Sequence, residues 1–533
     1  MGTISLLDCT LRDGGYVNDW RFGAETVRGF AHKIAQTGVE MFEVGFLKGD
    51  TFDKDRAVFP DGGSAMRAVG EKQPGLLYLG MLDMSAPIPL ARFPRRSEQT
   101  LDGVRVIFKK EKTDEAFRCC EALQALGYMV FVNFVGTDLY TDAEFIAGIE
   151  KFNALRPFAM TIVDSFGLIK RKDFLRFVYL ADHNMAPGVA LGYHAHNNLQ
   201  QAMGNAQALC EMNLHRDLCI DACVFGMGRG AGNLNLELFA EYMNENYGTH
   251  YRIEPMLEIM DEHLNEIYRD RFWGYSLPLY LSATNACHPN YAIYLAQKNT
   301  LTVKAFGELL QGIPPEDKAR FSKEKAERYY RAFQENYIDD RAAIEALRTA
   351  FAGRKVLMLA PGRTLRTCAD TIDACIRQQD PIVLAVNFTG GQVQPDYIFS
   401  SNMRRFVKIR GRTAAKCITT SNMTDCGQTD YVVNFSSFAS AEPDVIDNSG
   451  LMALRLLCRL GVRDVLLAGM DGYASDSADN YADESMEYVF EVGAAARNRL
   501  ISRELSEIAG QIRLQFLTPT HYTTGAGREG FYE

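Results

Sequence analysis

Apolar, β-branched runs of strand length punctuate the first half of the chain at 4–10, 41–46, 77–82, 104–109, 129–135, 160–166, 189–196 and 219–225. Such runs read as strands buried on both faces. The stretches between them follow a different period. TVRGFAHKIAQTG (26–38) and DEAFRCCEALQALG (114–127) space their apolar residues as an amphipathic helix does, and each closes on a glycine suited to a C-cap. Strands alternating with helices predict a parallel sheet. Eight of them, about 30 residues apart, predict a closed (β/α)8 TIM barrel, with an open doubly wound sheet as the alternative.

From about residue 235 to 350 the strand signal gives way to helical pattern, broken by WGYSLPLYLSATNACHPNYA at 273–292, a candidate cap or lid. Strand runs resume at 355–362, 381–388, 396–402, 416–422, 430–436, 464–472 and 513–519. Each precedes a loop bearing Gly, Asn or Asp, so an open, Rossmann-like α/β sheet is expected there. The expected organisation is a (β/α)8 barrel over 1–245, a helical extension or lid over 246–350 and a Rossmann-like domain over 351–533. No internal repeat interrupts it.

Composition agrees with this division. A chain of 533 residues exceeds what one hydrophobic core fills, and 47% hydrophobic with 23% charged residues is an ordinary globular balance. A net charge of −10 argues against a nucleic-acid or anionic-membrane surface, and no apolar run is long enough to cross a bilayer. Small-molecule chemistry is the expected class. The opening MGTISLLDCTLRDGG has no basic segment followed by an apolar stretch, which predicts a cytoplasmic protein. Twelve cysteines lie scattered, several in apolar runs (Cys9, Cys223, Cys287, Cys458), with no CxxC pair recurring at zinc-finger spacing. Reduced thiols are expected. The adjacent pair Cys119 and Cys120 reads as one buried and one partly exposed helix position.

Barrel active sites lie at the carboxyl ends of the strands. Polar residues collect there: DCTLRDGG after the first strand, Glu43 on the second, Asn133 on the fifth, Asp164 on the sixth, HAHNN at the seventh and FGMGRGAGN at the eighth. Alternation along a strand points His194 and His196 to one side, where both imidazoles can reach one ion. Asp13 is placed to complete the set. Mixed His and carboxylate ligands with open positions suit Mn²⁺ or Mg²⁺, with Co²⁺ or Zn²⁺ as further options, and leave room for a bidentate 2-oxo acid. Spacing alone also allows two histidines that only satisfy a polar rim.

LLDCTLRDGG (6–15), HAHNNLQQA (194–202) and GMGRGAGN (226–233), in this order on strands 1, 7 and 8, resemble signatures of the barrel metallolyases that include HMG-CoA lyase, isopropylmalate synthase and 4-hydroxy-2-oxovalerate aldolase. The resemblance covers about residues 3–295 and is nearest the 4-hydroxy-2-oxovalerate aldolase-like branch, WGYSLPLYLSA and HPNY included. It implies Asp13, His194 and His196 as metal ligands, Asn233 as a further ligand, and Arg12 as the electrophile that stabilises an enolate oxygen. Glu43 and Asp164 become carboxylates that orient ligands or pair with Arg12 or Arg105. One departure matters. Where the aldolases carry a histidine shortly after LRDG, and the synthases Glu-Gln, this chain has Gly15 and Tyr16. The general base is therefore open between Tyr16 and His288, the latter matching a downstream histidine of the synthases. The GxGxGxG spacing of 226–232 favours loop shaping over a phosphate cradle.

The second half carries VLMLAPGRTL, AVNFT, PDYIFSSN and NSGLMALRLLCRLGVRDVLLAGMDGY, which loosely resemble Rossmann-like domains of sialyltransferase-type and pterin diphosphokinase-like proteins. That resemblance implies a nucleotide or sugar ligand near Gly362, Asn387, Asn402, Ser449, Gly450 and Asp471. The alternative is a domain that only packs or dimerises. The functional expectation is a metal-dependent aldolase or lyase acting on a 2-oxo-4-hydroxy acid, joining or splitting pyruvate and an aldehyde, in sugar or surface-polysaccharide metabolism if the second domain handles activated sugars. An acyl-CoA-dependent Claisen-type synthase and a non-catalytic scaffold are the alternatives. A homo-oligomer is expected.

Overall fold

The computed structural model describes residues 2–298, 300–318, 320–423, 426–427, 429–474, 480–482 and 493–523. The chain forms two compact units, Met1–Asn290 and Tyr291–Glu533. Helices up to Asn290 belong to the first unit and the later ones to the second.

In the first unit, β1 (Ile4–Asp8), β2 (Met41–Leu47), β4 (Leu77–Asp83), β5 (Gly103–Phe108), β6 (Met129–Val135), β7 (Ala159–Asp164), β8 (Ala190–Ala195) and β9 (Leu218–Ala222) pair in parallel around a ring that β1 closes onto β2. This is the closed eight-stranded barrel. A two-residue strand, β3 (Val58–Phe59), pairs along β2 outside the closure. It is too short to leave a periodic signal in the sequence.

Two sets of apolar residues hold the barrel. Outward strand residues pack on the surrounding helices, as Phe42 does on Phe30. Inward residues Leu7, Met41, Leu79, Phe131, Ala159, Ala190 and Cys219 form a dry floor. The strand period of two then fixes what lies above that floor. Two residues on from Met41, Phe131 and Cys219 come Glu43, Asn133 and Asp221, and the same inward level receives Arg105 and His194. All five are buried. A polar layer therefore caps an apolar one inside a single barrel. Cys119 and Cys120 are both buried against this unit's core, correcting the expectation of one partly exposed position. Two adjacent helix positions can both be covered when neighbouring helices flank the first.

In the second unit, β10 (Val356–Leu359), β11 (Ile382–Val386), β12 (Tyr397–Ser400), β13 (Lys416–Thr420), β14 (Tyr431–Val433), β15 (Asp464–Ala468) and β16 (Arg513–Phe516) form an open, all-parallel sheet in the order β14-β13-β12-β11-β10-β15-β16. Apolar side chains alternate between its faces. Val356, Met358, Ile382 and Leu384 meet the helices Ser449–Leu460 and Ala494–Ala509, while Leu357, Leu359, Val383 and Ala385 meet Ala369–Gln379 and Met403–Ile409. Both faces are covered, as the uniformly apolar strands require.

Candidate active site

The strand run at 4–10 stops two residues early. Asp8 is fully buried and accepts hydrogen bonds from the Thr10 amide (3.2 Å) and hydroxyl (2.6 Å), and the Thr10 hydroxyl also accepts from the Val224 amide. Pinned this way, Thr10–Gly14 forms one π-type turn, a conformation concentrated at functional sites. The turn carries Arg12 and Asp13 into the barrel mouth, where both are buried.

Asp13, His194 and His196 converge as the alternation of β8 demands, with one ligating atom from each lying within 4.8 Å of the others. Asp13 Oδ2 sits 2.8 Å from His194 Nε2, 3.8 Å from His196 Nε2 and 3.1 Å from Arg12 Nη1. His196 also forms a β-bridge with Asn233, so the exit of β8 and the GMGRGAGN loop are joined at the site. Asn233 donates through Nδ2 to the Met227 carbonyl. Its Oδ1, like Asp13 Oδ1, is buried with no hydrogen-bond donor. Buried oxygens without donors are costly unless a cation takes them. Two imidazoles, a carboxylate and an amide oxygen fit a divalent ion with open positions.

The electrostatics lead to the same place. Asp13, Glu43 and Asp221 bring three buried carboxylates against the two guanidinium groups of Arg12 and Arg105. Burial alone would raise the Asp13 carboxyl, but Arg12, His196 and His194 hold it well below the usual range. Burial would likewise lower His194, yet its contacts with Asp13 and Asp221 keep its ring well above the usual range. A protonated His194 thus supplies the positive charge that an ion would otherwise bring. His196 is pushed down to about 4 by burial, the neutral form in which imidazole ligates.

Asp221 is the residue the sequence reading missed. His194 Nδ1 lies 3.0 Å from it, leaving Nε2 aimed at Asp13, and Arg105 closes the other side by pairing with both Asp221 and Glu43. A carboxylate behind a ligating histidine fixes its ring and tautomer. The signal was present as the inward position two residues beyond Cys219. Glu43 Oε2 accepts from Arg12 Nε at 2.6 Å and forms an ion pair with Arg105 Nη1 at 3.2 Å, so it positions the arginines. Asp164 accepts the amides of Leu168 (2.9 Å) and Ile169 (3.0 Å) and shapes the loop after β7. It pairs with neither Arg12 nor Arg105.

At the rim, Tyr16 packs edge-on against Trp20 and Phe46, and the Arg229 guanidinium lies over its ring at 4.0 Å. Arg229 Nη1 is 3.3 Å from His288 Nε2. The two base candidates therefore stand on either side of one arginine. Burial raises the Tyr16 phenol above its usual range, whereas burial, Arg229 and Lys109 push His288 down to about 4. The candidate lid clasps the signature loop: Trp273 donates to the Phe225 carbonyl (3.0 Å) and the Gly274 amide to the Gly230 carbonyl (3.1 Å). The amides of Gly226, Ala231, Gly232 and Asn233 are all satisfied within the protein, which favours loop shaping.

Residues 109–261 match the family model HMGL-like. The chain is 27% identical over 270 residues to the 4-hydroxy-2-oxovalerate aldolase of Burkholderia pseudomallei (strain K96243), covering 48% of this chain and 73% of the relative. It is 24% identical over 240 residues to the oxaloacetate decarboxylase of Mycobacterium tuberculosis (strain ATCC 25618 / H37Rv), covering 44% and 67%. Among solved structures, the N-terminal domain of a Bacteroides vulgatus protein is 22% identical and covers 55% of this chain and 96% of its own, with a TM-score of 0.47. The HMGL-like match lies within the first unit of the chain.

Proposed function

We propose that the barrel is a divalent-metal-dependent carbon–carbon lyase of the aldolase type, making or breaking the bond between a pyruvate enolate and an aldehyde. The observation that carries this reading is the convergence of Asp13, His194 and His196 beside Asn233, with the Asp13 and Asn233 Oδ1 atoms buried and donorless, next to a buried arginine. A divalent ion held by this set would supply Lewis-acid polarisation to the paired oxygens of a 2-oxo acid.

The protein's own groups take the remaining roles. Arg12 is fixed through Nε by Glu43 and through Nη1 by Asp13, while its Nη2 is held by no protein acceptor among the described residues. That edge is free to donate to the oxygen on which enolate charge builds. Tyr16, kept protonated by burial, is suited to donating a hydrogen bond. His288, neutral at physiological pH, is the better candidate to take a proton, with Arg229 positioning it.

Incubation with pyruvate and Mn²⁺ in D₂O tests the reading. Deuterium should enter the methyl group without CoA, and Asp13→Ala, His194→Ala and His196→Ala should abolish both exchange and Mn²⁺ binding. Arg12→Lys should bind Mn²⁺ yet lose about 10²–10³ in rate, since an ammonium cannot reproduce the fork. No exchange, with thiol released from acetyl-CoA in the presence of a 2-oxo acid, would replace the aldolase by the Claisen-type synthase.

A further inference from the structure

The sheet of the second unit has a topological switch point. From β10 the chain runs outward through β11 to β14 on one side, then returns to lay β15 against the other edge of β10. The helix after β10, Ala369–Gln379, covers one face, while the helix after β15, Ala494–Ala509, covers the opposite face. The loops leaving β10 and β15 thus part in opposite directions, and open parallel sheets bind ligands in the crevice this leaves at the carboxyl ends of the strands.

Two adjoining cavities lie at this end of the sheet. The smaller, about 120 Å³, is bounded by Gly362 after β10, Asn387 after β11 and Asp471 after β15, with Asn402, Ser449 and Gly450 also on its wall. Its framework is rigid and closely approached. A Cβ on Gly362 would stand 2.2 Å from the Gly469 carbonyl oxygen, and Asp471 is already committed to the Thr364 amide and hydroxyl. Asn387 is held at φ +63° by hydrogen bonds with Ser400 (2.7 Å) and Ser449 (2.8 Å). Asn387 is thus fixed at the carboxyl end of β11, on the walls of both cavities.

The larger cavity, about 660 Å³, shares Pro361, Asn387 and Arg405 with the smaller one and is the size of a small-molecule site. Among the described residues, four cationic side chains line it, Arg366, Arg405, Lys408 and Arg412, together with the carboxylate Asp373. Leu365, Ile372 and Phe388, which belong to one apolar cluster, give it an apolar floor. Guanidiniums and apolar side chains lining one cavity suit a ligand that combines phosphate with a planar ring.

We propose that the second unit binds a nucleotide at this switch point, its phosphates against Arg366, Arg405, Lys408 and Arg412 and its base on the apolar floor. The assignment is independent of the barrel's chemistry. Calorimetric titration of the whole chain with ADP, GDP, CDP and UDP, and with pyrophosphate as a base-free probe, tests it. One of the four should bind one-to-one at about micromolar strength, with pyrophosphate at least about tenfold weaker. Arg405→Ala combined with Lys408→Ala should weaken binding at least about tenfold. Arg366→Glu, an exposed charge reversal, should do likewise and carries the test if the double variant does not fold. Arg348→Ala, on the exposed side of helix Arg341–Phe351, should bind as the parent does. Pyrophosphate binding equal to every nucleotide, no binding by any of the four at millimolar concentration, or full affinity in Arg366→Glu would overturn the proposal.

Discussion

At the scale of single residues, the site is governed by carboxylates whose roles differ because their surroundings differ. Asp13 faces the histidines and is kept ionised; Asp221 stands behind His194 and is lowered chiefly by Arg105, against the effect of burial. Replacing Asp221 by Asn should leave the ring in place but weaken Mn²⁺ binding about 10- to 100-fold by calorimetry, the usual cost of losing such a partner. An unchanged affinity would show that Asp221 serves Arg105 alone. Asp8 behaves in the opposite sense. Burial pushes its carboxyl up to about 7, against the opposing hydrogen bonds from Thr10. Between the ordinary value of 3.8 and about 7 the folded protein therefore holds a proton that the unfolded chain releases. Stability must fall as pH rises through that window, by roughly 1 kcal/mol per unit, and level off above it. Asp8→Asn, which cannot ionise, should flatten that slope in denaturant titrations run across the window. A slope unchanged in the variant would assign it to other groups.

At the scale of elements, the GMGRGAGN loop is a backbone device. Gly226, Gly230 and Gly232 all have positive φ, and a Cβ on Gly232 would lie 2.1 Å from the Gly226 carbonyl oxygen. That closeness turns Asn233 inward beside His196 and leaves Arg229 outside, over Tyr16. Gly232→Ala should cost about 2 kcal/mol or more, from left-handed strain and the clash together, and should lower Mn²⁺ affinity about tenfold by displacing Asn233. Denaturant melts paired with Mn²⁺ titration check both effects. Lost stability at full Mn²⁺ affinity would remove Asn233 from the ligand set. The elements themselves were legible in the sequence: each of the fifteen runs read as a strand overlaps one, because uniformly apolar β-branched runs have few other ways to be buried. What escaped was β3, whose two residues pair with β2 and are too few to show a period.

At the scale of the molecule, two units with separate cores predict separate linkage to ligands. Mn²⁺ at about 100 times its dissociation constant should add about 2.7 kcal/mol to the unfolding of the barrel unit, and a chelator should reverse it. Calorimetric melting should show the unit holding the second sheet unmoved by Mn²⁺. A common shift of all unfolding heat would show that the two cores melt as one. The sequence by itself determined the two sheets, the three barrel signatures and the Asp13, His194 and His196 set, because period, strand polarity and motif order are one-dimensional properties. Only the tertiary structure decided which carboxylates face the histidines and which face arginines, that His288 and Tyr16 share Arg229, and that four basic side chains from scattered positions line one cavity. Those outcomes depend on distances across a closed barrel and across the two faces of a sheet. No spacing along the chain encodes them, since the residues that meet lie far apart in sequence and are brought together by the packing of everything between.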